Sequence, residues 1–296
     1  MNKEKIKNIV YFIGKSLGIL GLLFVFYKLS QEYTWSSFTG QFVLLLPIMP
    51  LLILFNFASL LIGIYGWHQM LLHYTTRTFP YIASYYYFSK TEIAKYLPGN
   101  IFHLVGRQAL ASRIGVKQTQ MAKISLFQAL FLLTSTLLVS TIFAFFAHHT
   151  PPLILLLMGL SSIASFIVLV YLYPSFSFKT KFSLNMQFAV SIAFQGLMLG
   201  VIVLYQSDTH SLELFFQCVS IYTISWLIGF VTPGASGGLG IREGVFIAIA
   251  TYLHIDISEE IIIFSVLLVR LINICVDVIM YLSTMALEKK MKELQL

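Results

Sequence analysis

The chain has 296 residues, 58% of them hydrophobic and 10% charged, with a mean hydropathy of +0.84 and a formal net charge of +7. This excludes a soluble domain, and the absence of alternating strands of about ten residues excludes a transmembrane β-barrel. The basic residues flank apolar runs, as topology signals and anionic-lipid contacts do, so no nucleic acid partner is expected.

The N-terminus carries Lys3, Lys5 and Lys7 before an apolar run. That run contains Lys15 and lacks a small-x-small cleavage site, so it reads as a retained first span, about 9–29, not a cleaved signal peptide. A second span is expected over about 42–72, with Pro47 and Pro50 bending it or marking its true start. Next comes a long non-spanning region, roughly 73–118, with six basic residues against one acid, Glu92. Its Tyr81, Tyr85, Tyr86, Tyr87, Phe88, Tyr96 and Phe102 suit a membrane interface. Pro98-Gly99 should split it into two short helices, with Asn100 capping the second.

Further spans are expected at about 121–147, 153–173, 184–205 and 212–231. The last of these stops at Pro233-Gly234 and a segment containing Gly237, Gly238 and Gly240, followed by Arg242-Glu243. A shorter apolar piece, about 241–254, precedes a final span over about 261–287 and a Lys289-Lys290-Lys292 tail. The basic N-terminus, 73–118 region, 174–182 link and C-terminus point to the cytoplasm. With both termini inside, the number of crossings is even. The short piece must then cross as well, giving eight spans, although about fourteen residues make only about 21 Å of helix. The expected fold is therefore all-α: one polytopic membrane domain over 1–296, with broken re-entrant segments near 79–112 and 232–254.

Both broken segments read Pro-Gly, seven residues, then arginine, ending at Arg107 and Arg242. A half-helix N-terminus inside a membrane favours an anion, and an arginine adds a fork matched to phosphate. In the final span Arg270, Asn273 and Asp277 recur at offsets of three and seven, on one helix face. Charges at that depth are expensive and belong inside the bundle, with Glu243 as partner for Arg270. Structural clamping and substrate contact are both open for this face. Glu92 and Lys95 read either as a solvated interfacial turn or as members of the substrate-binding set.

Several chemistries find no support. His148-His149 reads as a turn and not a metal site, and Gly237-Gly238-Leu239-Gly240 follows a membrane helix, not the strand that nucleotide binding needs. Cys218 and Cys275 read as small buried hydrophobes. No cofactor, metal or catalytic residue is expected.

At Lys95-Tyr96-Leu97-Pro98-Gly99 continuing to Gly106-Arg107, at Pro233 through Glu243, and at Arg270, the sequence resembles the lysylphosphatidylglycerol synthase transmembrane region family. This is the flippase-like part of the bacterial multiple peptide resistance factor. The resemblance implies a bacterial inner-membrane lipid translocase, not an enzyme, moving a charged phospholipid, aminoacyl lipid or glycolipid head group through a polar intramembrane cavity. With the chain ending at Leu296, no synthase domain is expected. Arg107, Arg242 and Arg270 would meet the phosphate, with Glu92, Lys95, Glu243, Asn273 and Asp277 around them. A separate lipid-modifying or envelope-synthesis enzyme and a homo-oligomer are compatible partners. Two alternatives are an integral membrane enzyme using Glu243 or Asp277 on a lipid-linked substrate, and a non-catalytic partner of envelope synthesis.

Overall fold

The computed structural model describes residues 35–75, 80–96, 102–111, 114–147, 150–207, 211–232, 238 and 240–293. The described residues form helices and connecting turns, with no strand among them. In chain order they are α1 (Trp35–Leu45), a 3-10 turn (Leu46–Ile48), α2 (Met49–Tyr74), α3 (Tyr81–Glu92) and a second 3-10 turn (Ile93–Tyr96). Then follow α4 (Phe102–Ala111), α5 (Gln118–Phe146), α6 (Pro152–Leu172), α7 (Phe178–Gln206), α8 (Leu212–Val231), α9 (Ile241–Tyr252) and α10 (Glu259–Glu293).

Among the described residues, six helical stretches are long and apolar enough to cross a membrane: Thr39–Tyr74, Gln118–Phe146, Pro152–Leu172, Phe178–Gln206, Leu212–Val231 and Glu259–Lys289. The chain is thus an all-helical multipass membrane protein. Each stretch overlaps a span expected from hydropathy. The expected first span lies outside the described residues, as do Pro98, Gly99, Asn100, Pro233, Gly234 and Gly237. α9, at 12 residues, is shorter than a span. Pro47 falls in the 3-10 turn between α1 and α2, and Pro50 sits in the first turn of α2, where its missing N–H costs nothing.

Helices inside lipid gain no hydrophobic force by touching, so close approach and interhelical hydrogen bonds must hold them together. Small residues supply the approach. A Cβ on Gly200 would lie 2.7 Å from Phe215, so α7 and α8 cross where glycine permits it. Serines supply the bonds. Ser59 Oγ donates to the Ser191 carbonyl at 2.8 Å and Ser191 Oγ returns a bond to the Ser59 carbonyl at 2.7 Å, joining α2 to α7. Ser140 and Ser220 form the same reciprocal pair between α5 and α8, at 3.1 and 3.0 Å. Asn185 on α7 accepts from Thr134 of α5 at 2.6 Å. α6 lies against α5 and exposes Leu153, Leu156, Leu160, Ile163 and Ile167, as a lipid-facing helix should.

α10 serves as a ruler for the rest. Near its start Glu260 accepts from Gln41, and Ser265 donates to Gln206 at 3.2 Å. Eight residues on from Ser265, Asn273 accepts from Asn56 of α2. Further along, Ser283 meets Tyr85 at 2.6 Å and Glu288 meets Lys90 at 3.1 Å, so α3 runs parallel to α10. Lys95 then breaks the progression. It reaches Asp277, at 2.7 Å, eleven positions back from Glu288. At about 1.5 Å per residue that is a retreat of about 16 Å along the axis. The turn after α3 folds back toward the middle of the bundle. α9 meets α10 in the same region, through Glu243 and Arg270.

Candidate functional site

Around the fold-back, four side chains form one chain of charge. Arg107 Nη2 lies 2.5 Å from Glu92 Oε2, Glu92 Oε1 lies 3.2 Å from Lys95, and Lys95 lies 2.7 Å from Asp277. Tyr96 donates a 2.5 Å hydrogen bond to Asp277. Arg107 also donates to Gln128 of α5 at 2.7 Å and lies 4.1 Å from the Phe88 ring centre and 5.6 Å from that of Trp67. The side chain is 3% exposed, and the guanidinium meets one carboxylate, one amide and two aromatic faces, although its Nε has no hydrogen-bond partner among the described residues. A solvated turn is therefore the wrong description of Glu92 and Lys95. Both are drawn into the bundle by partners that sequence distance conceals.

Burial pushes the Glu92 carboxyl up, but Lys95 and Arg107 outweigh it and hold the group down at about 2. His103, on α4 beside them, is lowered to about 4 by burial and stays neutral at physiological pH.

The second constellation surrounds the start of α9. Gly240, with φ of 77°, precedes the helix and offers no side-chain cap. Glu243, one turn in, is fully buried and pairs with Arg270 of α10 at 2.8 Å, as the spacing led one to expect. Arg270 also donates to the Gly238 carbonyl at 2.8 Å, tying the glycine segment to α10. Asn273 is engaged by Asn56, and Asp277 by Lys95 and Tyr96.

Arg242 differs. It makes no ion pair among the described residues, and its buried Nε has no hydrogen-bond partner. Its guanidinium lies 5.5 Å from the ring centre of Trp226, which stacks on Phe230 at 5.1 Å with planes 7° apart. The seat is made by two glycines. A Cβ on Gly229 would come within 2.6 Å of Arg242 Cγ, and one on Gly238 within 2.9 Å of Arg242 Nε and of the Gly229 Cα. Gly238 has φ of 70°, a second reason for glycine there. Tyr222 on α8 is 1% exposed, and its hydroxyl has no partner among the described residues.

Tyr222, Trp226 and Phe230 recur every four residues, and Gly229 falls on the same side of α8. The sequence reading passed over them because α8 is apolar on every side and its sequence does not say which face looks inward. The aromatic i, i+4, i+8 pattern running into a broken helix was the available signal.

The two constellations share α10. Together they hold four cations (Lys95, Arg107, Arg242, Arg270) and three carboxylates (Glu92, Glu243, Asp277). Arg242 is the unmatched charge. Among the described residues no group of three His, Cys, Asp or Glu side chains comes together that could hold a metal ion. Comparison with models of known protein families and with curated proteins gave no match to this chain.

Proposed function

We propose that this protein is a bacterial membrane lipid translocase, moving a charged phospholipid, aminoacyl lipid or glycolipid head group across the bilayer. One observation carries the reading: an arginine, half-buried among membrane helices and with no ion pair among the described residues, beside the start of α9 that no side chain caps. An intramembrane charge costs about 2.5–3.5 kcal/mol on insertion scales, so an unmatched one is retained for something that visits it. A lipid phosphate brings the opposite charge and arrives through the bilayer itself.

Two further points support the reading. The residues at these positions resemble the lysylphosphatidylglycerol synthase transmembrane region family. The fold-back of Lys95 to Asp277 and the start of α9 at Glu243 also suit broken segments that enter the membrane without crossing it as single helices. On this reading 9–29 and 241–254 complete eight crossings, and both termini lie in the cytoplasm of a cell whose inner membrane holds the protein. The ion-paired Arg107 then clamps the first broken segment, and Arg242 receives the head group.

The test is transbilayer movement. Proteoliposomes containing the full chain and a fluorescent phosphatidylglycerol are treated with an impermeant quencher, and the protected fraction is followed. Movement above the protein-free rate, falling about a hundredfold in Arg242→Gln, supports translocation. Protein-free rates for both proteins, each shown to be folded, would sink it.

A further inference from the structure

The charge count goes further than the presence of an anion. We infer that Arg242, the Tyr222 hydroxyl and the open first turn of α9 form a seat for a single negative charge: a phosphodiester, discriminated from phosphomonoesters and diphosphates. This rests on the lipid reading above and narrows its substrate class.

The seat combines three features. Arg242 contributes a guanidinium with no ion pair among the described residues. Tyr222, one turn before Trp226 on the same face of α8, contributes a hydroxyl donor that is 1% exposed and has no partner among the described residues. Buried hydroxyls without a bond are costly and uncommon, so one on the face of α8 that carries Trp226 is a donor available to an arriving acceptor. The first turn of α9 adds backbone N–H groups that no side chain caps. Trp226, itself stacked on Phe230, backs the guanidinium with aromatic surface.

The charge rule follows from the neighbours. Glu243 already neutralises Arg270 at 2.8 Å, and Glu92 and Asp277 neutralise Arg107 and Lys95. One positive charge is left over. A monoanion brings the interior to neutrality. A dianion leaves a net negative charge inside the bundle, at a cost equivalent to about a hundredfold in affinity.

The discriminating measurement is binding to the purified full chain in detergent, at about pH 8, where a phosphomonoester carries close to two charges. Dihexanoyl phosphatidylglycerol and dihexanoyl phosphatidic acid share acyl chains and differ in phosphate charge. The diester should bind at least about tenfold more tightly, and Arg242→Gln should erase both the affinity and the preference. Arg242→Lys should keep the preference with weaker binding, because charge survives but the fork does not. Tyr222→Phe should weaken diester binding about tenfold while raising the melting temperature of the ligand-free protein by about 2 °C, since an unpaired buried hydroxyl is removed. A merely structural tyrosine would lower it.

Equal or tighter binding of phosphatidic acid would overturn the seat, and so would Tyr222→Phe binding the diester as wild type does. If Arg242→Gln fails to fold, the lysine and phenylalanine variants decide alone. Glycerophosphoglycerol, the same diester without acyl chains, should bind far more weakly than the lipid. Equal binding keeps the charge rule and overturns the lipid as its source. Charge-selective binding without transbilayer movement sinks the transport reading alone, whereas equal movement of both lipid classes sinks the seat alone.

Discussion

Lys95 and Asp277 lie 2.7 Å apart across 182 positions of sequence, and their contact pins the turn after α3 to the middle of α10. Asp277 is 4% exposed and also accepts from Tyr96. Removing one member of a buried pair strands the other in a medium that solvates it poorly. Lys95→Met should therefore cost about 3 kcal/mol, toward the low end for such pairs because the lysine side chain is 24% exposed. Lys95→Met with Asp277→Leu should cost less than the lysine change alone. Chemical or thermal melting of the detergent-solubilised variants checks the order, and a double variant worse than both singles would contradict it.

The glycine seat makes a steric prediction. Gly229→Ala should displace Arg242 or Gly238 and destabilise the protein by about 1–3 kcal/mol, because the added methyl would sit 2.6 Å from Arg242 Cγ. Gly244→Ala, two residues beyond Arg242, meets nothing within 4 Å and lies in a helix, so it should be neutral or stabilising by up to about 1 kcal/mol. Melting of both variants, read together with lipid movement, separates the seat from a general dislike of substitution near α9.

Acid should loosen the first constellation through Glu92. Its folded pKa is depressed from 4.5 to about 2, with Lys95, Arg107 and the neutral His103 facing it. A depressed carboxylate contributes stability that is fully present above about 4.5 and is lost as pH falls toward 2. Glu92→Gln should remove that slope and lower stability at neutral pH. Melting temperatures from pH 7 down to about 3, compared between wild type and variant, give the test, and parallel curves would refute it.

Thiol labelling probes the packing. The sequence made both cysteines small buried hydrophobes, but only Cys218 is buried and Cys275 is exposed on α10. A membrane-permeant maleimide should modify the native protein once, at Cys275, and twice after denaturation. Mass spectrometry of the intact chain counts the additions.

Hydropathy revealed much of the fold here, since a lipid-crossing helix must be apolar for about 20 residues whatever its neighbours are. The Glu243–Arg270 pair was legible for a related reason: buried charges at this depth need partners, and few were available. The surroundings of Arg107 were not. Gln128, Trp67 and Phe88 carry no signal of their own, and only tertiary packing brings them around one guanidinium. The same holds for Tyr222 and Trp226, whose inward orientation is set by the crossing of α8 with the glycine segment.

The reciprocal serine pairs carry a consequence for motion. Each hydroxyl at Ser59–Ser191 and Ser140–Ser220 reaches the other helix's carbonyl, so α2 cannot slide past α7, nor α5 past α8, without breaking two bonds at once. Asn185 ties those two pairs together through Thr134. Four helices are stapled into a stator. Under the transport proposal, a stroke would fall to what is mounted on that stator: α10, with the fold-back turn joined to it through Asp277 and α9 through Arg270.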